Sequence, residues 1–496
     1  LNLPAHLDGE RRRIEAYARE FGLDFFDVVF EVVDYDQLNE VAAYGGFPTR
    51  YPHWRHGMEY EQLAKSYTWG LSKIYELVIN NNPVYAYLMK ANAPVEQKLV
   101  MAHVFGHADF FKNNLWFGKT NRRMMDQMAN HATRIRAHVD RHGIETVEAF
   151  VDACLSIENL IDPHAAFIER RERAETPSAT AGDAEDVREL VHKLPSKAYM
   201  EPYINPPSFV EEQKARLAEK AQRKRRTPAE PRRDVLQFLV ESAPLENWER
   251  DVLTIVRDEA RYFAPQGMTK IMNEGWAAYW HSTILTRRAL TDAEVVDFAD
   301  QHSGALAMAP GRLNPYKIGL ELFRDIEDRW NKGKFGPEYD ECDDLGVRRR
   351  WDKKLGLGRQ KIFEVRRIYN DVTFVDAFLN QEVCDRLKLY VYGYDSRAER
   401  HVVVDRDWRK VKEQILFSLT NLGQPIVQVV DANFENRGEL YLRHQFEGVP
   451  LDEARAVDTL KNVQRLWRRP VHLETVEDDR PRLLTFDGAE SRVTRL

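Results

Sequence analysis

The stretch QKLVMAHVFGHADFFKNN, residues 97–114, places apolar side chains on nearly every face of the helix that its spacing predicts. Such a helix offers no face to water, so the rest of the chain must surround it. Asn92 and Pro94 supply a start signal and Asn113-Asn114 a stop, which puts His103 and His107, four residues apart, in the helix interior. A buried imidazole needs a partner for each ring nitrogen, and two stacked on one face are costly unless something binds both. Gly106, between them, costs roughly 1 kcal/mol of helix stability against alanine and implies that backbone or ligand comes close there. A pair of hydrogen-bonded core histidines is the competing reading. His138 and His142 share the same spacing but precede Gly143 at a predicted helix end, where histidines serve terminal carbonyls and the helix dipole.

At 496 residues the chain is too long for a single core. A helical pattern dominates from about residue 10 to 168, including YEQLAKSYTWGLSKIYELVINNN. Residues 169–233 then turn too charged to bury much apolar surface and read as a mobile or loosely docked insert. The helical pattern resumes in LENWERDVLTIVRDEARYF, breaks at APQG and restarts in MTKIMNEGWAAYWHSTILTRRAL, which predicts a helical hairpin. Past about residue 345 the period shifts towards two, and from HVVVD to VHLETV the order of elements is βαββαβ, that of a ferredoxin-like split unit. The expected fold class is α+β: a mainly helical domain over 1–344 and a smaller α/β domain over 345–496.

Charge and composition exclude several classes. A net charge of -7 on this length argues against broad nucleic-acid binding, and the basic run QRKRR at 222–226 reads as a solvated linker. No apolar run reaches the ~18 residues of a transmembrane segment, and LNLPAHLDGERRR shows no apolar signal core. Cys154, Cys342 and Cys384 are odd in number and far apart, which fits a reducing interior, so a cytoplasmic location is expected. No phosphate-cradling glycine loop, G-x-S-x-G elbow or activated cysteine is visible.

The histidine pair has a natural complement in MNEGWAAYWH, residues 272–281, where Glu274 and His281 stand two turns apart on one face and Ala277 and Ala278 leave room for another helix. A Zn²⁺ site takes three N or O protein ligands and keeps a position open for water. His103, His107 and Glu274 meet that description for zinc or another divalent metal, with His281 as a fourth ligand or an orienting group. The Gly/Pro-rich segment HSGALAMAPGRLNPY contributes His302, Arg312, Asn314 and Tyr316 as candidate substrate-facing residues. Trp54, Trp69, Trp276 and Trp280 fit either a groove floor or, more commonly at helical spacing, the core.

NEGWA, together with the histidine spacing, resembles the downstream glutamate motif of gluzincin peptidases, so the helical domain is metallopeptidase-like. In that pattern a glutamate follows the first histidine, whereas here the position is Val104. Acid/base duty then falls to another carboxylate, and Glu259 in VRDEARYF is the first choice, ahead of Glu96 and Glu59. Over most of the chain GLSKIYELVIN, QKLVMAHVFGHADFFKNN, TKIMNEGWAAYWH, NPYKIGLELFRDIEDRW and NRGELYLRH resemble the SpoVR family, the stage V sporulation protein R-like proteins. The resemblance implies a link to sporulation and the peptidoglycan of the spore cortex, although the family also occurs in bacteria that make no spores. It further implies two partners, a PrkA-type serine kinase and a protein with a von Willebrand factor A-like domain. The expected activity is zinc-dependent hydrolysis or transfer at amide bonds of cell-wall peptides or peptidoglycan precursors. The competing expectation is a non-catalytic assembly or regulatory factor, with the histidine site structural and the C-terminal unit docking partners.

Overall fold

The computed structural model describes residues 3–68, 76–168, 227–309, 311–396 and 399–496, with 206, 208, 211 and 212 besides. Trp69, QRKRR and most of the insert at 169–233 lie outside the described residues. The chain forms two compact units, one of Leu1–Glu148 with Arg261–Gln424, the other of Ala149–Ala260 with Pro425–Leu496. Residues 345–424, which the change of period groups with the C-terminal strands, belong to the first, mainly helical unit.

In that unit, helix α1 (Ala5–Glu20) precedes strands β1 (Val28–Val33), β2 (Leu77–Ile79) and β3 (Val84–Met89). They form a three-stranded sheet in the order β1-β3-β2, with β1 parallel and β2 antiparallel to β3. The end of the run read as helical from its spacing is thus a strand. The β-branched Val78 and Ile79, paired with Ala86 and Tyr85, outweigh the helical period. From β3 the chain enters α2 (Pro94–Asn113). Pro94 takes the first helical position, the Glu96 carboxylate accepts from the Ala93 N–H at 2.8 Å, and the helix ends at Asn113. Every residue from Val95 to Phe111 is buried, as a helix apolar on all sides requires.

Helix α3 (Asn247–Met268) does not break at APQG: Pro265 lies inside it. The interruption is Thr269, with φ -131°, whose hydroxyl donates to the Pro265 carbonyl at 2.7 Å. The next helix, α4 (Lys270–Ile284), begins at once, so this joint lacks the loop of about two to five residues that a helical hairpin needs. Beyond it come α5 (Val295–Ala305), α6 (Pro315–Lys332), α7 (Gly358–Ile368) and α8 (Asp371–Phe378). Helix α4 lies against α2 on one side and α6 on the other. A Cβ at Gly106 would stand 2.7 Å from the Ala277 Cα, and one at Gly275 would stand 2.4 Å from the Gly319 backbone. These helices touch backbone to backbone, which accounts for the small residues on their faces. Asp371 fixes the first turn of α4 by accepting from the N–H groups of Ile271 at 2.7 Å and Met272 at 2.9 Å. Asp109 ties α2 to α4, accepting from the Trp276 indole N–H at 2.8 Å, with the Arg366 guanidinium of α7 3.4 Å away. Trp276 and Trp280 are fully buried in this core, while Trp54 is exposed.

The first unit ends with the hairpin of β4 (Val391–Asp395) and β5 (Arg400–Asp405) and with α9 (Trp408–Leu419). The second unit holds β6 (Val427–Phe434), β7 (Glu439–His444), α10 (Glu453–Trp467), β8 (Val471–Glu477), β9 (Arg480–Phe486) and β10 (Ser491–Arg495). The element order βαββαβ is present from β5 to β8, but the ferredoxin-like reading is overturned. Among the described residues strand β5 pairs only with β4, and the five-stranded sheet runs β10-β9-β8-β7-β6, with β7 and β8 parallel across α10. The reason lies in α9, which buries Val411 and Ile415 in the helical core and packs on α8, so it cannot return β5 to the sheet. The architecture is α+β, with a mainly helical region and a β-rich part of five strands and one helix. No described helix is long and apolar enough to cross a membrane.

The helix contacts make a sharp expectation. Gly275→Ala or Gly319→Ala forces α4 and α6 apart and costs about 1–3 kcal/mol or more, seen as a drop of several degrees in the thermal unfolding midpoint. Gly304→Ala, where a Cβ meets nothing within 4 Å, leaves the midpoint unchanged or slightly raised.

Candidate metal centre

Four side chains converge in the helical unit: Glu76, His103, His107 and Glu274 each bring one ligand atom within 4.8 Å of the other three. Helix α2 supplies the two imidazoles one turn apart, with ring centres 4.6 Å apart. Helix α4 supplies Glu274, held one turn after its first-turn N–H groups are capped by Asp371. Glu76 stands directly before β2, where the pairing of Leu77 with Tyr87 brings it to the end of β3 that leads into α2. His103 Nε2 lies 3.2 Å from Glu76 Oε1 and 3.7 Å from Glu274 Oε2, and His107 Nε2 lies 3.4 Å from Glu274 Oε2.

The ring nitrogens facing away from this point are all engaged. The His107 Nδ1–H donates to Asn273 Oδ1 at 2.8 Å, which leaves a lone pair on Nε2. His103 Nδ1 is 2.8 Å from His281 Nδ1, and His281 Nε2 is 2.9 Å from His302 Nδ1. With Nε2 of His103 turned to a ligand, the only consistent arrangement is His103 donating to His281 and His281 donating to His302. Burial, aided by cationic surroundings that include Arg324, holds His281 well below the usual imidazole range and His302 down to about 4. Tyr316, at the start of α6, stacks on His103 with ring centres 5.9 Å apart. Burial and the charges of the nearby Glu274 and Glu76 push its phenol far above the usual range, so it stays protonated.

The residues fit a divalent cation. His103 Nε2 and Glu274 Oε2 are buried without a hydrogen-bond partner although they face each other, which a positive charge between them would explain. Burial opposes charge on His103, yet Glu76 and Glu274 push its pKa up to about 9. Burial likewise opposes charge on Glu274, but the facing rings of His103 and His107 hold its carboxyl well below the usual carboxylate range. Two imidazole nitrogens and two carboxylate oxygens suit zinc, and also manganese or iron.

His103, His107 and Glu274, expected as ligands, meet here, and His281 stands behind His103 outside the group of four. Of the candidate substrate-facing residues, Tyr316 overlooks the site and His302 backs His281. Asn314 caps α6, accepting from the Lys317 N–H at 3.2 Å, and Arg312 is exposed on the preceding loop. Glu259 is buried in the other unit and is not among the four. Glu96 serves the start of α2 and Glu59 pairs with Arg55 at 2.9 Å. Glu76 is the member that sequence reasoning missed. Its one signal is a lone carboxylate set inside the apolar run KIYELVI.

His103→Ala and His107→Ala are each expected to abolish stoichiometric metal binding. His281→Ala, which removes only the support behind His103, is expected to weaken affinity about 10–100-fold, as loss of an outer hydrogen bond to a ligand does. Competition with a chromogenic chelator measures both, and full affinity in His281→Ala refutes the assigned orientation.

Comparison with known proteins identifies the family. The chain is 29% identical over 500 residues to the Escherichia coli (strain K12) protein named "Uncharacterized protein YcgB", covering 95% of this chain and 92% of that one. No solved structure matches it. Residues 425–478 match the SpoVR-like C-terminal domain and residues 3–424 match the family described as SpoVR like protein. The chain belongs to the SpoVR-like family.

Proposed function

We propose that the protein is a divalent-metal enzyme, with zinc the favoured ion, that hydrolyses or transfers amide bonds in cell-wall peptides or peptidoglycan precursors. The observation that carries this reading is the convergence of Glu76, His103, His107 and Glu274 on one point beneath Tyr316. A divalent ion held there supplies Lewis-acid polarisation of a carbonyl and makes water a better nucleophile. His103, His107 and Glu274 hold the ion, and Glu76 takes the proton duty that Val104 cannot perform and for which Glu259 is the sequence-based choice. Glu76 reaches the site from the residue before β2 instead of from the residue after the first histidine, and its Oε1 lies beside the same imidazole. The Tyr316 hydroxyl, kept protonated by its surroundings, donates to the oxygen on which negative charge develops. His281 and His302 hold His103 in one tautomer throughout. The cellular setting we assign is the cytoplasm, in cortex or cell-wall formation, with the PrkA-type kinase and the von Willebrand factor A-like protein as partners.

One observation favours a second reading. Four protein ligands can close a tetrahedral zinc site, and closed sites are structural. In that case the chain is an assembly or regulatory factor in the same kinase-linked complex.

Glu76→Gln separates the two. As proton acceptor, Glu76 can be replaced with full metal content and unchanged unfolding, while turnover of a cross-linked muropeptide, followed by release of free amine, falls by about 10²–10⁴-fold. If Glu76→Gln instead loses the metal along with thermal stability, and the wild type releases no amine, the enzyme reading fails and the structural one stands.

A further inference from the structure

We propose that a half-open cleft in the helical unit, apart from the metal centre, binds a small amphiphile with one carboxylate or phosphate head and an apolar body. The cleft has a volume of about 380 Å³, within the range of small-molecule sites, and is formed by the loop before α6, the segment 387–392 and α9. Its apolar wall is made by Leu313, Leu389, Val411 and Ile415. Its charged members are Arg312 and Lys388, and no acidic side chain among the described residues lines it. Neither cation has an ion-pair partner among the described residues, although salt bridges are plentiful elsewhere on α6 and α7. Two unpaired cations beside an apolar wall favour an anion that carries apolar surface over a neutral ligand or a cation.

The walls are held firmly enough to keep this shape. Val411, Ile415 and Leu389 are buried members of the helical core, so the apolar side is part of the rigid interior. Lys388 is the left-handed C-cap of the helix Gln381–Leu387, with φ 53°, its N–H bound to the Asp385 carbonyl and its own carbonyl accepting from the Tyr392 hydroxyl at 3.1 Å. Gly311, with φ +75°, turns the loop on the opposite side, where its Cβ position would approach Tyr392 at 3.8 Å. A free metabolite and a lipid headgroup present the same head chemistry. The proposal needs no metal and stands whether or not the enzyme reading does.

Calorimetric titration of the full chain with decanoate, decyl phosphate and decanol tests it. One molecule of decanoate or decyl phosphate is expected to bind per chain, and uncharged decanol at least tenfold more weakly. The double variant Arg312→Glu/Lys388→Glu, both positions being exposed, is expected to lose at least tenfold in affinity for the two anions with no change for decanol. Ser418→Trp, which fills the cleft from α9, is expected to abolish binding of all three. Co-sedimentation with phosphatidylglycerol vesicles separates the sources: capture that the charge reversal removes assigns a lipid headgroup, and no capture assigns a free amphiphile. Equal affinity for decanol and decanoate, unchanged affinity after charge reversal, or no binding of either anion overturns the proposal.

Discussion

The helical unit depends on backbone contact among three helices. Gly106 of α2 lies against Ala277 of α4, and Gly275 of α4 lies against Gly319 of α6, each too close for another carbon. This proximity, not side-chain interdigitation, sets how deeply α2 is enclosed and brings a residue of α4 to imidazoles of α2. Glu274 precedes Gly275, so the close crossing of α4 and α6 sits next to a candidate ligand. The same three helices carry Asn273, His281 and Tyr316, which support or overlook the two histidines. A separation of the axes by the thickness of one methyl group would disturb all these distances together.

Charge balance is the second constraint, and it follows from the first. Enclosing α2 this completely places two carboxylates against two imidazoles, largely out of water. The rings answer part of the negative charge, as the raised pKa of His103 shows, but that answer leaves His103 Nε2 and Glu274 Oε2 without partners. A divalent ion relieves both deficits at once, because it needs the lone pairs that the hydrogen-bond pattern leaves pointing inward. The outer arrangement fits that need. Asn273 and the His281–His302 pair occupy every ring nitrogen that faces away, so no tautomer is left open.

Much of this was legible in the sequence because it depends on local spacing. The burial of α2, its first and last residues, the facing of His103 and His107, the closeness of backbone at Gly106 and the small face at Ala277 all follow from a period of 3.6. Glu76 was not legible. It reaches the site through strand pairing of Leu77 with Tyr87, a contact that no helical pattern encodes, and the run containing it has helical spacing until Val78 and Ile79 join the sheet. The C-terminal topology failed for a related reason. The order of elements from β5 to β8 was read correctly, but whether two strands share a sheet depends on where the intervening helix packs, and Val411 and Ile415 commit α9 to the helical core. Pro265 misled as well: a proline within a helix removes one donor and strains one turn, which α3 absorbs, and the interruption falls at Thr269.

The segment from His302 to Tyr316 joins the features that remain. Its first residue backs His281, its last overlooks His103 and both carboxylates, and Asn314 between them binds the carbonyls of Ala305 and Ala307 while capping α6. Arg312, two residues before Asn314 in the same segment, lines the cleft. Asn314 therefore fixes two things with one side chain: the path of the loop that forms one wall of the cleft, and the start of the helix that sets Tyr316 over the candidate metal centre. A shift of this loop cannot be confined to one of them, because Tyr316 follows Asn314 by two residues in a helix whose axis is already pinned at Gly319. The candidate metal centre and the proposed amphiphile cleft thus share one support, with Asn314 as the point where their geometries are coupled.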